Sequence, residues 1–222
     1  MAKYSKYNEF NRFPNLDCIP AKIVDHLVKS ESKHAQNLWK LLKYNDLNAL
    51  TAGENLSQSE RQELVFHDNG QTTDKRVFFA PFVDDAWQEQ CSSIYIYVDQ
   101  IYPVTQGNAV VGVKVEIVVH SKISTINGDG DPDLNPEANP ADSEEGNIVV
   151  AFKNRATVLL KSVLAELNGL TLDGIGYLQF NTRLLSESQV KCNLWNNKTF
   201  WGYTVTFGIN MSGLAEDPQH SY

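Results

Sequence analysis

The stretch VVGVKVEIVVHSKI, residues 110–123, decides the fold class. Side chains of an extended chain alternate between two faces, so Val111, Val113, Val115, Ile117 and Val119 share one face. Lys114, Glu116 and His120 interrupt the other. One core face and one wetter face fit an antiparallel sheet, because a parallel strand covered on both sides reads as an unbroken apolar run.

The flanking segments extend this pattern. Upstream, Val77, Phe78, Phe79 and Phe82, then Ile94 to Val98, carry the aromatic and β-branched residues of strands, with Pro81 and Pro103 marking breaks. Downstream, Phe152, Ala156, Leu159, Leu160, Val163, Leu164 and Leu167 form an amphipathic helical stripe that Asn168-Gly169 stops. Gly176 to Leu184 and Thr199 to Ile209 read as two further strands, joined as a hairpin through Ser186 to Asn197. Near the start, apolar groups between Ala21 and Tyr44 fall on a helical face, with Pro20 at its beginning. The polar stretch Ser30 to His34 leaves open one helix or two. Ser57 and Glu60 stand in the spacing of a capping box ahead of Leu64, Val65 and Phe66, and Asn69-Gly70 ends that short helix. The order helix, strands, helix, strands is that of an α+β fold, a mainly antiparallel sheet flanked by helices.

The 222 residues are enough for one core, so a single domain spanning 1–222 is expected. Its expected appendages are an N-terminal extension over 1–20, a flexible acidic loop over 127–146 and a tail over 214–222. The loop, NGDGDPDLNPEANPADSEEG, has too little apolar surface to offset the entropy of ordering. A net charge of −8 argues against an activity based on gripping nucleic-acid phosphates. Cys18, Cys91 and Cys192 are odd in number and scattered, which predicts reduced, mostly buried thiols. The opening MAKYSKYNEFNRF has no signal-peptide core, and no apolar run is long enough for a membrane helix, so a cytoplasmic protein without export is expected.

Sites for chemistry are sparse. Asp129, Asp131 and Asp133 imitate the opening of a calcium loop, but its sixth and twelfth positions hold Leu134 and Pro140. A solvated acidic loop is the better reading. His26 and His34 match no metal-ligand spacing, and His120 has a nucleophile partner only if the fold brings Cys91 or Cys192 to it. The nucleophile elbow, the phosphate-binding loop and the dinucleotide fingerprint are absent from the sequence. No catalytic residue, metal or cofactor is therefore expected. The residues marked instead as subunit contacts are Asp84, Asp85 and Trp87, the three loop aspartates, and Trp201 within its run of alternating aromatics.

Three stretches, HAQNLWKLLKYNDLNAL (34–50), RVFFAPFVDDAWQEQ (76–90) and SSIYIYVDQIYP followed by VVGVKVEIVVHSKI, resemble the neck and tail-terminator proteins of tailed bacteriophages. The resemblance runs over about residues 34–210 and rests on element order rather than a short motif, so no functional residue is transferred. It implies a non-enzymatic virion protein, assembled in the host cytoplasm, that forms a homo-oligomeric ring, commonly a hexamer, at the head–tail junction. Connector and tail-tube proteins would be its neighbours, and DNA would pass through the channel without specific binding. A dodecameric connector or a baseplate subunit is the nearest alternative, and an enzyme with a site assembled from scattered residues a more distant one.

Overall fold

The computed structural model describes residues 16–51, 54–67, 74–81, 90–105, 108–127, 152–180, 190–195 and 198–211. The helical region near the start is two helices, α1 (Cys18–Lys29) and α2 (Lys33–Lys43). The break falls in the polar stretch. Ser30 is extended, and the Ser32 hydroxyl caps α2 by accepting the Ala35 N–H at 3.0 Å. α1 begins at Cys18, before Ala21 and inside the expected extension, because Pro20 sits in the first turn, where a missing N–H costs nothing. The capping box forms as expected at the start of α3 (Gln58–Glu63), where Glu60 also meets Lys43 at 2.7 Å. Those contacts hold the Glu60 carboxyl down at about 2. The expected Asn69-Gly70 turn lies outside the described residues.

The described strands are β1 (Val77–Phe78), β2 (Ser92–Thr105), β3 (Asn108–His120), β4 (Thr125–Asn127) and β5 (Phe152–Asn154), followed after α4 (Arg155–Leu167) by β6 (Thr171–Leu172), β7 (Gly176–Gln179), β8 (Val190–Trp195) and β9 (Phe200–Met211). Seven form one sheet in the order β1-β2-β3-β9-β7-β6, with β8 also on β9, and β4 pairs with β5. Within this seven-stranded sheet only the β1–β2 pair is parallel. The α+β, antiparallel-dominant reading therefore stands.

Several boundaries differ from expectation for local reasons. β1 stops at Phe78 and leaves Phe79 part-exposed, and Phe82 is outside the described residues. Pro103 does not break β2: it lies at a register shift beyond the part of β2 that β1 covers, a position that spares it a ladder N–H. Phe152 belongs to β5, and α4 starts only at Arg155 because Asn154 caps it, its side-chain oxygen accepting the Thr157 N–H at 3.1 Å. The Ser186 to Asn197 connection is not a plain turn, since it contains β8, which pairs tightly back on β9. β7 reaches only the far end of β9, at Leu178 opposite Ile209. The acidic loop is outside the described residues, apart from Asn127 at the end of β4.

One face of the sheet carries the core. Val111, Val113, Val115, Ile117, Val119, Val205, Phe207 and Ile209 are fully buried there. α1 and α2 cover β2, while α4 packs on α2, β3 and β9. Arg155, wholly buried, joins these layers. Its guanidinium donates to the carbonyls of Ile123 (2.8 Å), Leu41 (2.9 Å), Tyr44 (2.6 Å) and Asp46 (2.7 Å). Three of these acceptors lie at or just beyond the C-terminus of α2, where helix carbonyls have no partner of their own. Arg61, also buried, does the same for α1 through Val28 and Ser30, each at 2.7 Å.

The β3–β9 pair approaches closely at Gly202. A Cβ there would lie 1.9 Å from the Ile117 carbonyl oxygen, whereas one on Gly112 would meet Gln100 only at 3.6 Å. Gly202→Ala should lower unfolding free energy by about 3 kcal/mol or more, and Gly112→Ala should stay within about 1 kcal/mol, both read by urea titration. Arg155→Met should cost about 3 kcal/mol or more by orphaning buried carbonyls. Equal stability of the two glycine variants, or an unchanged midpoint for the arginine variant, would contradict this packing.

Candidate assembly surface

β8 follows the alternation that the sheet imposes. Val190, Cys192 and Leu194 stand opposite Val205, Tyr203 and Trp201, which themselves stand opposite Val115, Ile117 and Val119. All of these point toward the helical layer. α4 covers β3 and β9, and the side chains on β8 emerge beyond it: Leu194 is 62% exposed, Val190 36%, and Cys192 is exposed. Among the described residues β8 has β9 as its one strand neighbour, so from Val190 to Leu194 its outer backbone edge has no strand partner among them.

Trp201 sits at the border of this patch. It is half-buried, edge-on to Tyr203 with ring centroids 6.2 Å apart, and Tyr203 reaches the first turn of α4 through Thr157. Of the expected contact residues, Trp201 alone is described. Asp84, Asp85, Trp87, Asp129, Asp131 and Asp133 lie outside the described residues. β8 itself escaped the sequence reading because Lys191 and Asn193 break its apolar run, although the spacing of Val190, Cys192 and Leu194 was the available signal.

Among the described residues the opposite side of the sheet has a second open edge. β1 pairs with β2 only at Ile94 and Tyr95. From Ile96 to Thr105, β2 is paired with β3 alone among the described residues. Ile101 and Tyr102 on this run are 39% and 37% exposed.

The face turned away from the helices is polar along the middle of the sheet. Lys114 meets Asp99 at 2.9 Å and lies over the Tyr97 ring. Glu116 stands between Tyr95 and Thr204 on the neighbouring strands and bonds to the Tyr97 hydroxyl. Burial pushes the Glu116 carboxyl above the usual carboxylate range, with Asp99 adding to the shift and Tyr97 and Lys114 opposing it. Below this row Phe78, Tyr95, Val118 and Phe200 form a small second apolar cluster.

The groups considered for chemistry are placed as follows. His120 is buried on the polar face, its Nδ1 accepting the Lys122 N–H at 3.1 Å and its ring edge-on to Phe200. Burial, with Lys122, pushes its pKa down. The His120 backbone bonds to Cys91, but Cys192 points to the other face of the sheet. Cys18 and Cys192 are exposed, contrary to the expectation of mostly buried thiols, because one opens α1 on its solvent side and the other lies on the uncovered β8. His26, Ser30 and Ser32 gather around Glu166, but both hydroxyls donate to the carboxylate rather than to the imidazole. That wiring fastens α4 to the α1–α2 turn. Among the described residues no three metal-ligating side chains converge, and no helix is long and apolar enough to cross a membrane.

A family model described as YomW matches residues 35–209, and the chain belongs to the YomW family. No curated protein and no solved structure matches. The family carries a Bacillus prophage-type protein name, which points to a phage-associated protein without assigning it a role.

Because the folded state raises the Glu116 pKa, it binds that proton more tightly than the unfolded chain does. The associated stability is present below pH 4.5 and is lost as pH rises through the raised value. Glu116→Gln should therefore match the parent in thermal midpoint near pH 4 and exceed it at pH 7. A difference that stays constant across this range would contradict the placement of Glu116.

Proposed function

We propose that this YomW-family chain is a structural virion subunit of a tailed bacteriophage, a tail-terminator or neck protein that forms a ring at the head–tail junction around the DNA channel. The observation that carries this reading is the pair of edges, open among the described residues, on opposite sides of one sheet, at β8 and at the upper part of β2, both bearing exposed apolar side chains. Two different edges on one subunit favour head-to-tail contacts, and such contacts close into rings when the rotation between copies permits. Six copies are expected. The family name supports a phage setting.

The net charge of −8 suits a wall past which DNA slides, since like charge disfavours lasting contacts with phosphates. In this reading the protein works by fit rather than by chemistry, and it needs no cofactor. Connector and tail-tube proteins would bind above and below the ring, with Asp84, Asp85, Trp87 and the loop aspartates as further contacts.

Light scattering coupled to size exclusion, with negative-stain imaging of the peak, should show one defined oligomer with a central channel, and the protein should be present in purified particles. A strict monomer at every concentration, absent from particles, would contradict the proposal.

A further inference from the structure

The two open edges match each other strand for strand. Each strand in the run β2, β3, β9, β8 is antiparallel to the one before it. A second copy continuing the sheet in the same sense therefore brings its β2 antiparallel to β8. The edges are offset along the strands: Val190 lies level with Ile96 through Val205 and Val115, whereas the open run of β2 extends from Ile96 upward. β1 covers β2 below that run, and β7 covers β9 above β8. A neighbour displaced along the strands so that its open run faces Val190 to Leu194 has its own β1 directly below the junction and the first copy's β7 above it. Such displacement is the shear that any closed ring of tilted strands requires.

Resting on the ring reading above, we propose that β8 of one copy adds to the upper edge of β2 in the next, with Leu194 beside Ile96, Cys192 beside Val98 and Val190 beside Ile101. The register follows from the side-chain faces. Leu194, Cys192 and Val190 point toward the helical layer, as do Ile96, Val98 and Ile101 once the bulge at Asp99 is passed. β3 crosses the same bulge, pairing Val113 with Val98 and Gly112 with Gln100. The register places Lys191 beside Gln100 and next to the bulged Asp99, so opposite charges meet.

The receiving edge has room for a side chain. A cleft of about 610 Å³ lies along it, lined by Leu16, Pro20, Phe79 and Val98 on its apolar side. Leu194, more than half exposed in the single subunit, is the β8 side chain with most apolar surface left to bury. The bulge at Asp99 and Pro103 are devices that protect edges from indiscriminate pairing. Here they limit the usable run to Ile96 to Ile101, which Val190 to Leu194 fits, while Trp195 falls beyond it at Tyr95, which β1 already pairs.

The test uses the native thiol of Cys192, with Cys18→Ser to remove the other exposed cysteine. Val98→Cys in this background, oxidised with copper phenanthroline, should give a ladder of cross-linked species on a non-reducing gel. Cys192→Ser should abolish it. Within one copy the two positions are three strand spacings across and four residues along the sheet from each other, about 19 Å, too far for a disulfide, so every cross-link joins two copies. Leu194→Asp, at an exposed position, should keep the thermal unfolding of the subunit and dissociate the oligomer. A ring seen by light scattering without the ladder, a lone Cys192–Cys192 dimer, or a ring that survives Leu194→Asp would overturn this contact and leave the ring reading standing. A monomer throughout would overturn both.

Discussion

A buried guanidinium that satisfies four backbone carbonyls sets the geometry on which the rest of the molecule depends. Arg155 stands at the first turn of α4 and holds the end of α2, the residue after it and the turn before β4 in one cluster. Burial pushes its pKa down to about 10, so the group is still a cation at neutral pH, well suited to the negative end of a helix dipole. Arg61 fixes α1 in the same manner. Its ion pair with Glu31 adds little, because that carboxylate is 65% exposed, and the buried carbonyl bonds carry the effect.

These two clusters decide how far the helices extend over the sheet. With α2 and α4 locked together, α4 lies over β3 and β9 and leaves the side chains of β8 open to solvent. α1 and α2 cover β2 from the same side. Exposure at the edges is thus a consequence of where the layer is pinned. Interior bonds and outer surface are in this sense one design: the arginines fix the layer, and the layer determines which strands stay available to another chain.

Much of this fold was legible from side-chain period alone. The alternation of Val111 to Val119 and of Trp201 to Ile209 gave the central strands, and the stripe from Ala156 to Leu167 gave α4. Local chemistry added the Ser57–Glu60 capping box and the Asn168-Gly169 stop, where Gly169 takes a positive φ of 86°. What period could not supply was pairing. β8 carries Lys191 and Asn193 on its wetter face and looked like a connection, because only its contact with β9 reveals it as a strand. The start of α4 was placed too early for a similar reason, since Phe152 continues the apolar spacing while Asn154 sets the boundary. Arg61 and Arg155 gave no signal either, as an arginine in an amphipathic segment ordinarily faces water. Of the contact residues read from composition, Trp201 lies beside the candidate surface, and the acidic positions fall outside the described residues.

A family shared at the level of phage association, a sheet with two edges unpaired among the described residues and a helical layer that stops short of one of them all bear on the same physical question, namely whether those edges are paired in the working protein. Residue-resolved amide hydrogen exchange, compared between dilute subunit and assembled protein, answers it most directly. The alternate amides of Val190 to Leu194 that point away from β9, and those of Ile96 to Tyr102 that point away from β3, should gain protection on assembly, while those of α4, already satisfied within the subunit, should exchange alike in both states. Exchange at β8 as fast in the assembly as in the dilute subunit would mean that the edges are not what joins the copies.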